Sequence, residues 1–175
     1  MPEPIEITNM KKNAEDREYV LKTVKENGKL LEFATEALQD DREIVLEAVK
    51  NNPEALEFAS DRLKEDREIV FESVSKLGWT YCYAKGALLE DKELLMSGLK
   101  VSGQILYYAT SKMRDDKEVV KLAVENKPII LKYASNRLKN DKEIGLIAME
   151  KDKSCFKFLG EDLKKDEEIL ELNNK

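Results

Sequence analysis

Apolar residues along the chain recur in a pattern that repeats every 25 residues. The stretch LLEFATEALQDDREIV at residues 30–45 returns almost unchanged as ALEFASDRLKEDREIV at residues 55–70. A triplet, Asp-Arg-Glu or Asp-Lys-Glu, marks each copy, and a variant Asp-Glu-Glu begins a last one. The triplets begin at Asp16, Asp41, Asp66, Asp91, Asp116, Asp141 and Asp166. This even spacing predicts tandem repeats, and we number positions within a repeat from this aspartate, position 1.

The first half of each repeat has the pattern of an amphipathic helix. In the second repeat, apolar or small residues at positions 4, 5, 8 and 9 are Ile44, Val45, Ala48 and Val49. This spacing favours a helix over a strand. Aspartate at position 1 can cap the first free backbone N–H groups, and glutamate at position 3 suits the positive end of the helix dipole. We therefore predict a helix over residues 17–26 and its equivalents in later repeats.

A break at position 13 separates this helix from a second one. Glycine at this position can end a helix, and proline can begin the next. The residues at position 13 are Gly28, Pro53, Gly78, Gly103, Pro128 and Lys153. Apolar residues at positions 15, 16, 19 and 23 then predict a second helix over residues 29–38 and its equivalents.

Position 18 is aromatic in all six complete repeats. The rings are Phe33, Phe58, Tyr83, Tyr108, Tyr133 and Phe158. Aromatic side chains at helical spacing can line a ligand site, but rings that wedge between successive helix pairs are the simpler interpretation. We expect these rings to be buried in the core.

Such short helices are marginal alone in water, so each repeat needs a neighbour against which to bury its apolar face. The sequence therefore predicts an all-α fold, an α-solenoid of six 25-residue helical hairpins over residues 16–165. A terminal half-unit at residues 166–175 would cap the stack. Residues 1–15 do not follow the repeat and form either a loose tail or an N-terminal cap.

The repeat resembles a known family. The segments DREYVLKTVKENGKLLEFATEAL at residues 16–38 and DREIVLEAVKNNPEALEFASDRL at residues 41–63 carry the resemblance most clearly. They resemble an uncharacterised repeat family, the domain of unknown function numbered 4116, and the match extends more weakly over nearly all of the chain after residue 15. Gly98, Gly145 and Lys153 depart from the pattern, which indicates local irregularity. The resemblance implies a helical repeat, and it brings no activity or catalytic residue with it.

Charge and composition narrow the function classes. Hydrophobic residues make up 42% and charged residues 38% of the chain, and the net charge is −6, which argues against a nucleic-acid binder. No apolar run is long enough to span a bilayer, so we expect no membrane partner. Only two cysteines, Cys82 and Cys155, occur far apart, so a cytoplasmic, reducing location is expected.

Candidate chemistry is sparse. The chain has no histidine, which excludes Ser-His and Cys-His nucleophile systems and histidine-based zinc sites. The repeated Asp/Glu pairs could serve as general acid and base, but capping explains them at every repeat. The position-2 cations would form a stripe that the adjacent glutamates neutralise. We therefore expect no enzyme activity, cofactor or metal.

The outward face of the second helix breaks the repeat pattern. Positions 14, 17, 21 and 24 share the face opposite the core, and they are largely charged in the first two repeats. Apolar residues take their place later, and we predict that they bind a partner. They are Trp79, Cys82, Leu89, Tyr107 and Ile129. As alternatives, residues 1–15 or a twist in the stack cover this face, or the face is a self-association seam.

The sequence thus favours a non-enzymatic scaffold or adaptor that binds another protein, whose identity it leaves open. One alternative is a small acidic inhibitor that occupies a cationic site on a target protein. Its complex should weaken steeply with salt, whereas a complex formed by apolar contacts should not. A further alternative is an enzyme that uses carboxylates and lysines. Such an enzyme needs a pocket, and short stacked hairpins offer little depth.

Overall fold

The structure is a computed structural model that describes residues 4–174, and these residues form helices and turns without any strand. Residues 1–3 of the predicted N-terminal segment and Lys175 of the predicted half-unit lie outside the described residues. The chain forms two compact parts, Met1–Leu88 and Leu89–Lys175. Within each part, helical repeats stack on one another, so the predicted all-α solenoid class is confirmed.

Each complete repeat begins with a ten-residue α-helix. These helices are Arg17–Glu26, Arg42–Asn51, Arg67–Lys76, Lys92–Val101, Lys117–Asn126 and Lys142–Lys151. The position-1 aspartate caps them as predicted: one carboxylate oxygen of Asp41 accepts hydrogen bonds from the backbone N–H groups of Glu43 and Ile44, at 3.0 and 3.2 Å. The residue at position 12, such as Asn27 with φ −145° and ψ 93°, leaves the helical conformation and ends the helix.

The second helix of each repeat differs from the prediction, because it is a six-residue 3-10 helix. These helices are Gly28–Phe33, Pro53–Phe58, Gly78–Tyr83, Gly103–Tyr108, Pro128–Tyr133 and Lys153–Phe158. A continuous α-helix over residues 29–38 was the expectation. Instead the backbone turns extended at Ala34 (φ −72°, ψ 157°) and becomes helical again only in a short closing turn.

The closing turns complete the repeats. They are Glu36–Gln39, Leu63–Glu65, Gly86–Glu90, Met113–Asp115, Asn136–Lys139 and Leu163–Lys165. A backbone hydrogen bond explains the break before them. The N–H of Ser60, at position 20, donates to the carbonyl oxygen of Gln39 in the preceding repeat at 3.0 Å. The chain therefore follows the neighbouring repeat at this point rather than its own helix.

Two layers build the stack. Within each compact part, the ten-residue α-helices of successive repeats pack side by side, and so do the 3-10 helices. The core lies between the layers. In the second repeat it comprises Ile44, Val45, Ala48, Val49, Ala55, Leu56, Ala59 and Leu63, each at most 4% exposed. Positions 4, 5, 8, 9, 15, 16, 19 and 23 therefore bury the apolar surface.

The aromatic rings at position 18 lie outside this core, so the expectation of buried wedges was wrong. Phe33, Phe58, Tyr83, Tyr133 and Phe158 are half-buried, and Tyr108 is 49% exposed. In the second repeat, Ala55, Leu56 and Ala59 at positions 15, 16 and 19 are buried, and the larger ring of Phe58 lies at the edge of this buried surface, where solvent reaches it. Positions 14 and 17, one 3-10 turn apart, share the outward edge of the helix.

Both ends of the described chain carry a helix that continues the stack. Helix Ile5–Lys12 packs against the first 3-10 helix, and its Met10 is fully buried. The carbonyl oxygen of Ala14 accepts a hydrogen bond from Thr35 at 3.2 Å, as Gln39 does from Ser60 one repeat later. At the other end, helix Glu167–Asn174 packs on Lys142–Lys151 and buries Ile169.

Candidate functional site

The Asp-Arg-Glu and Asp-Lys-Glu triplets form ion pairs between successive repeats. The cation at position 2 reaches the position-1 aspartate and the position-3 glutamate of the following repeat. The sets are Arg17 with Asp41 and Glu43, Arg42 with Asp66 and Glu68, Lys92 with Asp116 and Glu118, Lys117 with Asp141 and Glu143, and Lys142 with Asp166 and Glu168. We call these contacts the triplet ladder. The predicted stripe of cations is thus neutralised by adjacent carboxylates.

The carboxylates of this ladder have structural partners. The Lys142 ammonium, at 3.0 Å, lowers the pKa of Asp166. Hydrogen bonds from Lys121 and Lys117 lower the pKa of Glu143 to about 2. For Asp66, partial burial raises the pKa, but the Arg42 hydrogen bond and the capped N–H groups outweigh it, and the net shift is downward. Groups held as anions in this way are poor proton donors near neutral pH.

A side chain at position 11 adds a second connection between repeats. The amide of Asn51 donates to the carbonyl oxygen of Lys25 at 2.9 Å, and its oxygen accepts from the N–H of Gly28 at 2.8 Å. The ammonium of Lys151 likewise donates to the carbonyl oxygen of Glu125 at 2.6 Å. These donors satisfy the free carbonyls that end the helix of the preceding repeat.

The most exposed aromatic surface lies in the second compact part. Tyr107 is 54% and Tyr108 49% exposed, both at the end of 3-10 helix Gly103–Tyr108. The ring of Tyr107 packs edge-to-face on Tyr108, with centroids 5.0 Å apart, and on Tyr133 of the next repeat, at 4.9 Å. This tyrosine cluster borders an open groove of about 390 Å³. The groove, which we call the tyrosine groove, is lined by Gln104, Tyr107, Tyr108, Lys127, Ile129, Ile130, Lys132 and Tyr133.

The first compact part has a smaller aromatic cluster on its third 3-10 helix. Trp79 is half-buried and packs edge-to-face on Tyr83, with centroids 5.7 Å apart. Burial and a hydrogen bond with Glu57 raise the pKa of Tyr83 to about 12. Burial also raises the pKa of the Cys82 thiol, with Glu57 adding to the effect, so this thiol is a poor nucleophile. Glu57 therefore already engages the hydroxyl of Tyr83 in this cluster.

Comparison with family models identifies the repeat. The model for the domain of unknown function DUF4116 matches residues 16–64, 41–89, 66–114 and 116–164. The chain belongs to this family. Each matched segment spans about two repeats. Comparison with curated proteins and with solved structures gives no match.

The DUF4116 repeat brings two of the predicted binding residues together. Tyr107 and Ile129 line the same groove, from neighbouring repeats. Trp79 and Cys82 lie on a different helix, Gly78–Tyr83, in the first compact part. Leu89 lies half-buried in the closing turn Gly86–Glu90 and is not among the residues that line the tyrosine groove. The partner-binding role of all five residues stays a prediction.

The sequence analysis missed the part of the groove that Tyr108, Tyr133, Lys127 and Lys132 contribute. An α-helical period placed the position-18 tyrosines in the core. One signal of this positive charge was available in the sequence. Position 17 is a glutamate in the first two repeats, Glu32 and Glu57, but a lysine in the fifth and sixth, Lys132 and Lys157, so the outward edge changes charge along the chain.

Among residues 4–174, no group of three or more Cys, Asp or Glu side chains is placed to hold a metal ion. The helices in the same range are too short or too polar for any of them to cross a bilayer.

Proposed function

We propose that this chain is a non-enzymatic protein-binding scaffold or adaptor, and that the tyrosine groove is its binding surface. The observation that carries the proposal is the exposure of Tyr107 and Tyr108, 54% and 49%, in a protein whose other apolar side chains mostly pack between layers. Tyrosine is enriched where protein interfaces concentrate their binding energy, because it offers a large apolar ring with a polar tip.

The repeat architecture supports this role. Within each compact part, successive repeats contact one another through recurring core and ladder positions, which leaves positions 14 and 17 free to vary. These two positions carry Tyr107 and Ile129 in the groove. A stack of this kind provides a rigid outward edge on which a partner can bind without large rearrangement.

We further propose that the protein works in the cytoplasm. Cys155 is a free thiol that is fully buried, and burial raises its pKa to about 11. It therefore packs as a small apolar side chain. A thiol in this role suits a reducing compartment, where no disulfide has to form.

A second candidate function is an acidic inhibitor of a cationic target. The observation that favours it is the row of glutamates on the outward edge of the first compact part. Glu32 and Glu57 are exposed at position 17, and Glu54 is half-exposed at position 14. Such a complex would weaken steeply between low and moderate salt and would be unaffected by Y107S/Y108S.

The test is quantitative co-purification from extract of the native cell, with identification of retained proteins by mass spectrometry. We expect the double variant Y107S/Y108S to lose a protein that the wild type retains. The control is V101S, because Val101 is also exposed, at 48%, but does not line the groove. If the same proteins are retained by all three chains, the tyrosine groove is not a binding surface.

A further inference from the structure

The tyrosine groove is positively charged although the chain is acidic. The net charge is −6, yet the groove contains two lysines, Lys127 and Lys132, and no aspartate or glutamate. In the triplet ladder, by contrast, each cation meets carboxylates. Neither groove lysine forms an ion pair with any residue that the structure describes. The two ammonium groups are therefore available to an anionic partner.

The lysines stand beside apolar surface. The ammonium of Lys132 lies 4.7 Å from the centroid of the Tyr133 ring, and the Tyr107 ring lies 4.9 Å from the same centroid. Ile129 adds an aliphatic side chain to the same groove. Carboxylates and an apolar side chain would thus find complementary groups a short distance apart.

We propose that this groove binds a segment of another protein in which carboxylates flank an aromatic or aliphatic side chain. The inference rests on the proposed function and names the chemistry of its partner. The apolar side chain packs against Tyr107, Ile129 and Tyr133, and the carboxylates pair with Lys127 and Lys132. Such charge complementarity chiefly determines which partner is accepted and how fast it associates, while the apolar contact contributes most of the affinity.

The charge balance favours an acidic peptide over a nucleic acid. A phosphate backbone presents one charge per nucleotide and needs several cations along its path, whereas this groove has two lysines in a chain of net charge −6. Stacking of bases on tyrosines would be the only other contribution. A single-stranded oligonucleotide is therefore a direct competitor to test.

The experiment measures binding of fluorescent probes to the full chain by fluorescence anisotropy. The first probe is a peptide in which glutamates flank a central Leu-Phe pair, and the others replace every glutamate with glutamine or with lysine. A single-stranded oligothymidine is the fourth probe. We expect the glutamate peptide to bind most tightly. We expect K127E/K132E to weaken it by about tenfold or more and to favour the lysine peptide instead.

The control variant is K12E/K22E, which changes the net charge equally at two exposed lysines that do not line the groove. It should bind the glutamate peptide within about twofold of the wild type, since it leaves both groove lysines in place. Both double variants should melt at the wild-type temperature, because none of the four ammonium groups is paired with a described carboxylate.

Four results would overturn the inference. Tighter binding of the glutamine or lysine peptide, lost in Y107S/Y108S, would refute the acidic partner and leave the proposed function standing. Preferred binding of the oligothymidine would replace the protein partner with a nucleic acid. Concentration-dependent dimerisation that Y107S/Y108S abolishes would show that a second copy of this chain occupies the groove. If no probe binds in a way that Y107S/Y108S abolishes, the inference fails. If, in addition, co-purification from cell extract finds no protein that the wild type retains and Y107S/Y108S loses, the proposed function fails as well.

Discussion

At the scale of single residues, neighbouring side chains on one six-residue helix differ in burial. Leu56, at position 16, is fully buried, whereas Phe58, at position 18 on the same 3-10 helix, is half-exposed. Ala55, three residues before Phe58 and thus one 3-10 turn away, is also fully buried, so the large ring lies at the edge of the buried surface and the smaller side chains fill its interior.

This difference predicts the relative cost of two truncations. Leu56→Ala should lower the free energy of unfolding by about 2–5 kcal/mol, because it leaves a cavity between the layers. Phe58→Ala should cost clearly less, because solvent already reaches the ring. Urea denaturation of both variants measures the two values. An equal or larger loss for Phe58→Ala would mean that the ring is a core wedge after all.

The sequence was sufficient to predict the first helix of each repeat, its aspartate cap and the stacking. Each depends on a pattern that local chemistry explains: Asp41 before Ile44 and Val45 is a cap before an apolar face. The second helix was harder. Whether Ala34 continues a helix depends on the hydrogen bond from Thr35 to Ala14, outside the repeat itself. Because this contact is not local, the exposure of Tyr108 and the full extent of the groove could not be predicted.

At the scale of helices, the triplet ladder joins successive repeats within each compact part. The cation of one helix reaches the capped start of the following helix, so one aspartate serves both as helix cap and as ion-pair partner. Single exposed pairs of this kind contribute little, about 0–1 kcal/mol each. Their regular repetition sets the register between helices and neutralises charge that would otherwise accumulate along one face.

The ladder predicts how stability depends on pH. Hydrogen bonds hold the pKa of Glu143 at about 2 and that of Asp166 below its ordinary value of 3.8. A carboxylate whose pKa is lower in the folded state stabilises the fold above its unfolded pKa, and the effect is lost as pH falls toward the folded value. The free energy of unfolding should therefore stay level from pH 7 to about pH 5 and decrease below that.

Replacing one lysine of the ladder with a neutral side chain tests the cause of this decrease in stability. Lys117→Gln removes the ammonium that pairs with Asp141 and Glu143, and it should make the decrease in acid shallower. Lys22→Gln is the matched control, because Lys22 is exposed and outside the ladder. Urea denaturation at several pH values measures both. Identical acid profiles for the wild type and Lys117→Gln would show that other carboxylates determine the dependence.

At the scale of the whole molecule, a repeating interior supports a varied exterior. The core positions and the ladder recur from repeat to repeat, while positions 14 and 17 change from Glu54 and Glu57 to Ile129 and Lys132. A chain built in this way can alter its outward edge without changing the contacts that hold repeats together. The tyrosine groove is the place where this variation exposes the most aromatic surface.

A stack of this kind should lose structure locally when one repeat is damaged, because its stability is approximately a sum of repeats and neighbour contacts. Leu131 is fully buried in the fifth repeat, so Leu131→Ala should speed amide hydrogen exchange most in that repeat and progressively less in repeats farther along the chain. Ile129→Ser, on the half-exposed groove side of the same 3-10 helix, is the matched control and should leave exchange nearly unchanged. Mass spectrometry of peptides after exchange measures both.

A uniform increase across residues 16–165 in Leu131→Ala would instead mean that the chain unfolds as one cooperative unit. A large increase in Ile129→Ser would mean that the groove side chain belongs to the core, and it would remove the basis for substituting groove residues without unfolding the repeat.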